Sequence, residues 1–442
     1  MNKTGSKKML SAALAAVMMA LTACGQTGES KEGKGTAAPS AEPAPAQVNV
    51  QPLSNAQLLQ PDTEPDQDFY NKAADFSVEL LKRSAGEDIA RGDNAMISAE
   101  SVIYAMEMAA NGAGGNTLDQ IQNTLLGGID IETADKYLLY LRAAAEGNED
   151  IRFHIANSFW VREGRLEPAE GYAELLRSYF GADMYLAPFD QGTCDDVNAW
   201  ISENTDGMIP HMIDNIGPED VAFLINAMAF EAEWQNEYWD DDIEEGRKFY
   251  NAEGGEDDCT MLYSCEPVYF SDGQAEGFAK NYKGGDYAFV AIRPNDGVEL
   301  SDYLDGFTGE HFMEMYRGAD RDAEVYVEMP EFKSEYDVSL APTLIDMGIT
   351  DAFEDIADFT GMGRTMTGIL KIDRVLHKSY IEVSREGTKA AAATVVEMTD
   401  AAMAMEEEPP HYITLDKPFI YAIVDTESGF PIFMGVTNTV GE

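Results

Sequence analysis

The residue types that most often perform catalysis form no catalytic or metal-binding motif in this sequence. The five histidines are His154, His211, His311, His377 and His411, and none lies in H-E-x-x-H or is spaced with cysteines or carboxylates as a zinc ligand set. The sequence also lacks G-x-S-x-G, G-x-x-x-x-G-K-S/T and a G-x-G-x-x-G that follows a strand. We therefore expect neither an enzyme nor a protein with a bound metal or cofactor.

Pairs of carboxylates identify no acid–base site, because acidic residues occur throughout the chain. The 442 residues include 80 Asp and Glu against 30 Lys and Arg, which gives a formal net charge of −50. Such a charge repels nucleic-acid phosphates and anionic membrane surfaces, so we expect neither as a direct partner. An acidic, solvated surface accounts for this charge, and electrostatic attraction of basic targets is the alternative.

The N-terminus has the features of an export signal. Three lysines precede an apolar run over 9–20, which is too short to span a membrane as a helix. The run is followed by L-T-A-C, ending at Cys24, which resembles a bacterial lipobox in which cleavage precedes an acylated cysteine. We therefore predict a lipoprotein signal peptide over 1–23 and an exported protein anchored at the extracellular face of a membrane through Cys24. An ordinary signal peptide cleaved after Ala23 is the alternative.

Residues 24–65 are predicted to be a flexible tether. They are rich in Gly, Ser, Thr, Ala, Pro and Gln, and TAAPSAEPAPAQ (36–47) offers too few apolar side chains for a packed core. Besides Cys24 the chain has Cys194, Cys259 and Cys265, an odd number that argues against a disulfide framework. Cys259 and Cys265 could pair across a hairpin, and free buried thiols are an equal alternative.

The hydrophobic pattern predicts one α+β domain over 66–442, with helices mostly first and strands mostly later. The predicted helices cover 68–85, 98–112, 116–126, 196–207 and 339–349. The predicted strands cover 221–234, 287–294, 323–332, 379–384, 418–425 and 432–437. The strand at 221–234 is almost continuously apolar, as expected of a strand buried on both faces. The helix at 116–126 is expected to have Asn116 or Thr117 as its N-cap.

Five segments, in order along the chain, carry a family resemblance. They are NAMISAESVIYAMEMAANGAGGNTLDQI (94–121), INAMAFEAEW (225–234), MPEFKSEYDVSLAPTLIDMGITDAFEDIADFTGM (329–362), VLHKSYIEVSREGTKAAAAT (375–394) and LDKPFIYAIVDTESGFPIFMGVTN (415–438). They resemble the motifs of the serpin family, and the resemblance extends from Asp66 to Asn438. It implies the serpin fold, with three β-sheets, eight or nine helices and an exposed reactive loop at 385–412.

The resemblance also implies a mechanism of protease inhibition by loop insertion. A protease cleaves the exposed loop, the freed segment enters the main sheet as a new strand, and the acylated protease is carried to the opposite pole and distorted. Ser98, Ser101, Asn226 and His377 match the family's polar cluster beneath the main sheet, where two central strands part. Trp234 matches the top of that opening.

Three positions depart from the family pattern. Ala99 replaces the usual Pro beside Ser98, a change that we expect to be tolerated. Arg385 and Lys389 stand where the family usually has Glu, which alters the charge where the loop enters the sheet.

The alanine-rich segment is the predicted hinge of the reactive loop. Its residues are Gly387, Thr388, Ala390, Ala391, Ala392, Ala393 and Thr394. A strand that enters a sheet turns alternate side chains to one face. The even-numbered side chains over 388–398 are all small or apolar, whereas Lys389 and Glu397 lie on the other face. A helix, which alanine favours, and a low-complexity linker are the alternatives.

The predicted scissile bond joins Ala401 to Ala402, with Met403–Ala404 as the alternative. The surrounding TDAAMAM contains no Lys or Arg, so a trypsin-like pocket finds no cation to pair with. Alanine and methionine suit the shallow apolar pockets of elastase-like or subtilisin-like enzymes. We therefore expect a monomeric inhibitor that forms a covalent complex with an elastase-like serine protease. A non-inhibitory serpin that acts as a binding protein, and an inhibitor of cysteine proteases, are the alternatives.

Overall fold

The computed structural model describes residues 48–148, 150–218, 220–366, 368–388 and 409–441. Within these ranges the chain forms nine α-helices, namely α1 (Gln67–Arg91), α2 (Ala99–Ala110), α3 (Gly115–Leu126), α4 (Ile131–Glu146), α5 (Tyr172–Phe180), α6 (Gln191–Asn204), α7 (Leu300–Gly306), α8 (Gly309–Arg317) and α9 (Ala341–Met347).

The strands of the described residues are β1 (Ala95–Ile97), β2 (Ile151–Arg162), β3 (Leu166–Pro168), β4 (Asp183–Ala187), β5 (Ala222–Glu233), β6 (Ile243–Tyr250), β7 (Glu256–Glu266), β8 (Val268–Ser271), β9 (Ala275–Asn281), β10 (Tyr287–Pro294), β11 (Val325–Pro330), β12 (Phe332–Ser339), β13 (Gly363–Thr365), β14 (Leu376–Val383), β15 (Gly387–Thr388), β16 (His411–Thr414), β17 (Phe419–Asp425) and β18 (Pro431–Thr437). They form three large sheets and one two-stranded ribbon, β13–β3. The main sheet has the order β12-β14-β15-β5-β2-β4, the second β1-β18-β17-β10-β9-β8, and the third β16-β11-β7-β6.

Helix α2 lies in the centre of the domain, and all twelve of its residues are buried. It packs against β5 of the main sheet and against β18 of the second sheet. Ser98 caps it, because its hydroxyl accepts a hydrogen bond from the Ser101 N–H at 3.2 Å. The side chains at the start of α2 therefore lie directly beneath the main sheet.

The predicted strand at 221–234 is confirmed as β5, which is buried along nearly its whole length. The predicted strand at 323–332 is wrong in one respect, because the chain changes sheets within it. It leaves the third sheet after Pro330, the end of β11, and enters the main sheet at Phe332, the start of β12. The Glu331 N–H still donates to the Thr260 carbonyl of β7 at 2.9 Å, so the chain changes sheets across this single residue.

The predicted N-cap of α3 is wrong. The helix begins at Gly115, and Gly114 occupies the cap position without a side-chain bond. The two predicted cap side chains bond to another part of the chain instead. Asn116 Nδ2 donates to Asp351 at 2.7 Å, and Thr117 Oγ1 accepts from the Asp358 N–H at 3.0 Å.

The last part of the predicted tether contacts the domain. The Leu53 N–H donates to the Met184 carbonyl at 2.8 Å, which adds a backbone bond along the edge strand β4. Asn49 Nδ2 donates to Asp196 at 2.7 Å, and Val48 and Val50 pack against a buried apolar cluster. The tether that the composition of 36–47 predicts therefore does not continue to residue 65, because this last part contacts the domain.

The cysteines at positions 194, 259 and 265 are free thiols. Cys259 and Cys265 lie on one continuous strand, β7, rather than on the two arms of a hairpin. Six residues of strand separate them by about 20 Å, far beyond the reach of a disulfide. In the part of the chain that the structure describes, no helix is both long enough and apolar enough to cross a bilayer.

Candidate functional site: the opening of the main sheet

The two central strands of the main sheet, β5 and β14, part from each other. Both run in the same direction, and an isolated bridge joins them at Leu224 and Val375. At the other end β15 lies between them, with Thr388 opposite Val383 of β14 and Ala232 of β5. Between these two points the described residues form no ladder that joins β5 to β14. Among the described residues, the facing edges of β5 and β14 are therefore unpaired in the centre of the main sheet.

The first two hinge residues, Gly387 and Thr388, lie inside the top of this opening. Thr388 is 1% exposed, and its hydroxyl shares a hydrogen bond of 2.6 Å with the hydroxyl of the buried Tyr282. Gly387 has φ +154, and a Cβ there would lie 2.1 Å from the Ala232 carbonyl oxygen. Only glycine allows this close approach of the two backbones. The position at the top of the opening therefore fits Gly387 and Thr388 specifically.

Trp234 closes the upper end of the opening. Its indole N–H donates to the Ser384 carbonyl at 2.9 Å, and its backbone N–H donates to the Glu386 carbonyl at 3.1 Å. Its ring stacks on Tyr282 with centroids 4.7 Å apart. Trp234 thus contacts both the turn that precedes the hinge and Tyr282, which is hydrogen-bonded to Thr388.

A buried ion pair supports Trp234, and sequence reasoning missed it. Lys280 and Glu266 are 2% and 4% exposed and lie 2.8 Å apart. The ammonium of Lys280 also lies over the rings of Trp234 and Tyr238, at 5.4 Å and 4.5 Å from their centroids. Both residues lie in strands, β9 and β7, where a charged residue ordinarily faces solvent. Nothing in the sequence indicates that the two face inward together.

The charge change at the entrance is compensated by acidic partners. Arg385 donates to Asp240 at 2.7 Å, and the Arg385 backbone N–H donates to the Glu331 carboxylate at 3.0 Å. This pair is exposed and contributes little to stability. The arginine therefore places no unpaired cation at the entrance of the opening.

The predicted polar residues beneath the sheet are brought together by the start of α2. The Ser98 N–H donates to His377 Nε2 at 3.1 Å, and the Ser101 hydroxyl bonds to Asn226. His377 belongs to β14 and Asn226 to β5. Helix α2 is therefore hydrogen-bonded to both strands that part.

Two further residues complete this polar cluster. Asn226 Nδ2 donates to Asn157 on β2 at 2.5 Å, and Asn157 Nδ2 donates to the Phe180 carbonyl at 3.0 Å. Sequence reasoning missed Asn157 because β2 was not recognised as a strand. An asparagine within an apolar run such as IANSFWV is the feature that could have found it.

A comparison with known families identifies the chain. Residues 71–439 match the model of the serpin family, whose name stands for serine protease inhibitor. The chain belongs to the serpin family. Most serpins inhibit proteases and are not themselves enzymes. The predicted fold is confirmed, with nine helices and three large sheets in the described residues.

Individual relatives cover most of the chain. An uncharacterised serpin-like protein of Methanosarcina acetivorans is 27% identical over 375 residues, which cover 82% of this chain and 85% of the relative. Iris of Ixodes ricinus is 28% identical over 378 residues, covering 83% and 97%. Among solved structures, the thermophilic serpin tengpin in its native state has a TM-score of 0.81 and 35% identity, covering 89% of this chain and 100% of tengpin. The latent state of tengpin aligns with a TM-score of 0.74.

Several predicted site residues of this serpin lie outside the described residues. They are Cys24, the hinge residues Ala390, Ala391, Ala392, Ala393 and Thr394, and the residues of both predicted scissile bonds, Ala401, Ala402, Met403 and Ala404. In the described part of the chain, no group of His, Cys, Asp and Glu residues is arranged to hold a metal ion.

Burial lowers the pKa of His377 from 6.5 to about 4, because the charged imidazolium has no water around it. The ring is therefore neutral at pH 7, and Nε2 accepts the Ser98 N–H bond. Because the pKa is lower in the folded than in the unfolded protein, the neutral ring favours folding fully above pH 6.5. This contribution is lost as the pH falls towards 4.

We expect the replacement His377→Gln to remove this pH dependence. The glutamine oxygen can accept the Ser98 bond but does not titrate. Between pH 6.5 and pH 4 the wild type should lose up to about 3 kcal/mol of unfolding free energy relative to the variant. Urea unfolding followed by tryptophan fluorescence measures this difference. His211→Gln, at an exposed ring, is the control, and equal pH profiles for the wild type and His377→Gln would contradict the assignment.

Proposed function

We propose that this serpin inhibits serine proteases as a suicide substrate. The protease serine attacks the carbonyl carbon of Ala401, the bond to the Ala402 nitrogen breaks, and the protease histidine gives its proton to the leaving amine. An ester then joins the protease to Ala401. The freed segment enters the main sheet between β5 and β14 before water hydrolyses the ester.

The position of Thr388 is the observation that carries this proposal. The first residue of the segment that must insert is already paired with both β5 and β14. The side chains that would follow it on the same face are small or apolar as far as residue 398. Entry of this strand therefore needs no charged group to be buried on that face. The better alignment with the native state of tengpin also favours an open sheet over a fully inserted one.

The register of β15 predicts how far insertion proceeds before it meets resistance. Thr388 lies opposite Ala232 and Val383, so continuation of an antiparallel strand brings Val396 opposite Leu224 and Val375. These two residues form the isolated bridge between β5 and β14. The eight residues from 388 to 395 thus fill the opening without breaking the bridge, and the six from 396 to 401 must break it.

A non-inhibitory serpin that acts as a binding protein is the second candidate, and the charge of Lys389 within the hinge favours it. Lys389 follows Thr388 directly, so an inserted strand would turn it to the opposite face. Inhibition of a cysteine protease would use the same insertion and a thioester in place of the ester. A panel of serine and cysteine proteases distinguishes the two classes of target.

We also propose that the protein is exported and anchored by a lipid on Cys24, as a bacterial lipoprotein. The support is the L-T-A-C sequence at the end of an apolar run that follows lysines. The proline-rich residues up to 47 then separate the inhibitor from the membrane. Incorporation of radioactive fatty acid into the wild type but not into Cys24→Ala is the test, and labelling of both would reject the anchor.

The protease specificity follows from the residue offered to the acyl pocket. The exported domain should form an SDS-stable complex with an elastase-like protease and little with trypsin, because a pocket with a buried carboxylate rejects an uncharged side chain. Ala401→Arg should shift complex formation towards trypsin, and mass spectrometry of the complex locates the cut. Met403→Arg is the matched variant for the alternative bond. Rapid trapping of trypsin by the wild type would overturn the assignment.

The hinge is expected to tolerate a charge on one face only. Thr388→Arg should convert the inhibitor into a substrate, because a cation would replace a 1% exposed hydroxyl beside Tyr282 and insertion would slow. The measurement is the number of inhibitor molecules consumed per protease inactivated, which should rise severalfold. Ala391→Arg, on the opposite parity, is the control and should change this number little. A wild-type value for Thr388→Arg would show that the parity argument is wrong.

Cleavage within 399–405 should raise thermal stability sharply. The inserted strand would pair with the open edges of both β5 and β14 and bury apolar side chains at mid-sheet. Calorimetry of the intact and the cleaved protein tests this. An unchanged melting temperature would mean that no strand inserts, and it would favour the binding-protein alternative.

A further inference from the structure

An acidic cavity lies on the other side of α2 from the opening of the main sheet. Its volume is about 370 Å³, within the range of small-molecule sites. The start of α1, helices α2 and α4, the start of β10 and the turn between β17 and β18 surround it. None of the residues that line it is Lys or Arg. Four carboxylates, of Glu64, Asp286, Asp425 and Glu427, line it together with that of Glu100.

Glu100 is the buried group of this cavity. It is 3% exposed, and among the described residues its carboxylate has no hydrogen-bond or ion-pair partner. Burial, with a further contribution from the charge of Asp425, raises its pKa to about 8. A buried carboxylate without a partner is costly, and a cation bound in the cavity would supply the missing partner of Glu100.

Aromatic rings form the walls around Glu100. Tyr70, Tyr140 and Tyr287 line the cavity, and within the described residues none of their hydroxyls is hydrogen-bonded. Phe153 and Phe430 add two further rings. Aromatic faces and carboxylates together attract an organic cation, whereas a metal ion needs several oxygens converging on one point. No such metal-binding group exists among the described residues.

We propose that this cavity binds a small organic amine, with its ammonium group against the carboxylate of Glu100 and the rings of Tyr70 and Tyr287. An ammonium has three N–H donors and no acceptor, which suits a cavity lined by a carboxylate and tyrosine hydroxyls. The acidic groups at the mouth, Glu64 and Glu427, are exposed and attract the cation from solution. A second amino group on an aliphatic diamine would lie near them.

The pH dependence of binding distinguishes this site from a general acidic surface. The ammonium binds ionised Glu100, and the titratable groups near Glu100 are Tyr70, Tyr104, Tyr287 and Asp425. Burial and the nearby negative charges raise the pKa of all three tyrosines, so they stay neutral. Affinity should therefore rise about tenfold per pH unit up to pH 8 and then level off, about 100-fold above its value at pH 6.

Isothermal titration of the exported domain with 1,4-diaminobutane tests the proposal. Glu100→Gln should weaken binding at least tenfold at pH 8, and butane-1,4-diol should not bind. Glu107→Gln is the matched control, since Glu107 is on the same helix, is fully buried and has no partner for either oxygen, but does not line the cavity. This control should bind as the wild type does.

Three outcomes would overturn the proposal. One is no heat of binding with diaminobutane at pH 8, and another is equal loss of binding in both glutamine variants, which would indicate damage to α2 rather than a site. The third is tighter binding of calcium chloride than of the diamine, which would indicate an inorganic cation. None of these results bears on the inhibitory function, which is measured with protease.

Discussion

The open central edges of the main sheet are the constraint on which the rest of this serpin depends. Backbone N–H and C=O groups inside a sheet need partners, and an incomplete ladder costs free energy. In the described residues β5 and β14 meet only at the Leu224–Val375 bridge and at β15. This arrangement makes the sheet a site that favours the addition of a strand. Gly387 and Thr388, the described part of the hinge, already lie in it.

Helix α2 connects the two strands that must separate further when a strand enters. Its first turn bonds to His377 of β14 through Ser98 and to Asn226 of β5 through Ser101. Separation of the strands past the bridge moves these two residues apart, so at least one of the bonds must rearrange. Asn226 is also held by Asn157 of β2, whereas among the described residues the Ser98 N–H is the only hydrogen-bond partner of His377 Nε2. The bond to β14 is therefore the simpler one to release.

Sequence patterns predict the parts of this site that depend on local chemistry. The apolar run of β5 and the glycine of the Gly387–Thr388 hinge each follow from neighbouring residues. The same patterns do not predict contacts between segments that are distant in the sequence. The Lys280–Glu266 pair joins two strands whose inward-facing positions depend on register, and Asn116 bonds to another segment instead of capping its helix. The same limit left the pairing of Cys259 with Cys265 open, because a disulfide between them depends on whether 259–265 forms a turn or continues as a strand.

The same helix carries the polar cluster on one face and the acidic cavity on another. Ser98 and Ser101 are three residues apart and share a face, while Glu100 is rotated from Ser101 by about 100°. Helix α2 packs between β5 and β18 and so connects the cavity to the main sheet, and Phe153 of β2 lines the cavity from that sheet directly. Coupling between the two requires that an amine bind the intact and the cleaved protein with different affinities. This effect is reciprocal. If cleavage changes the affinity for the amine by a given factor, the amine changes the equilibrium constant of insertion by the same factor.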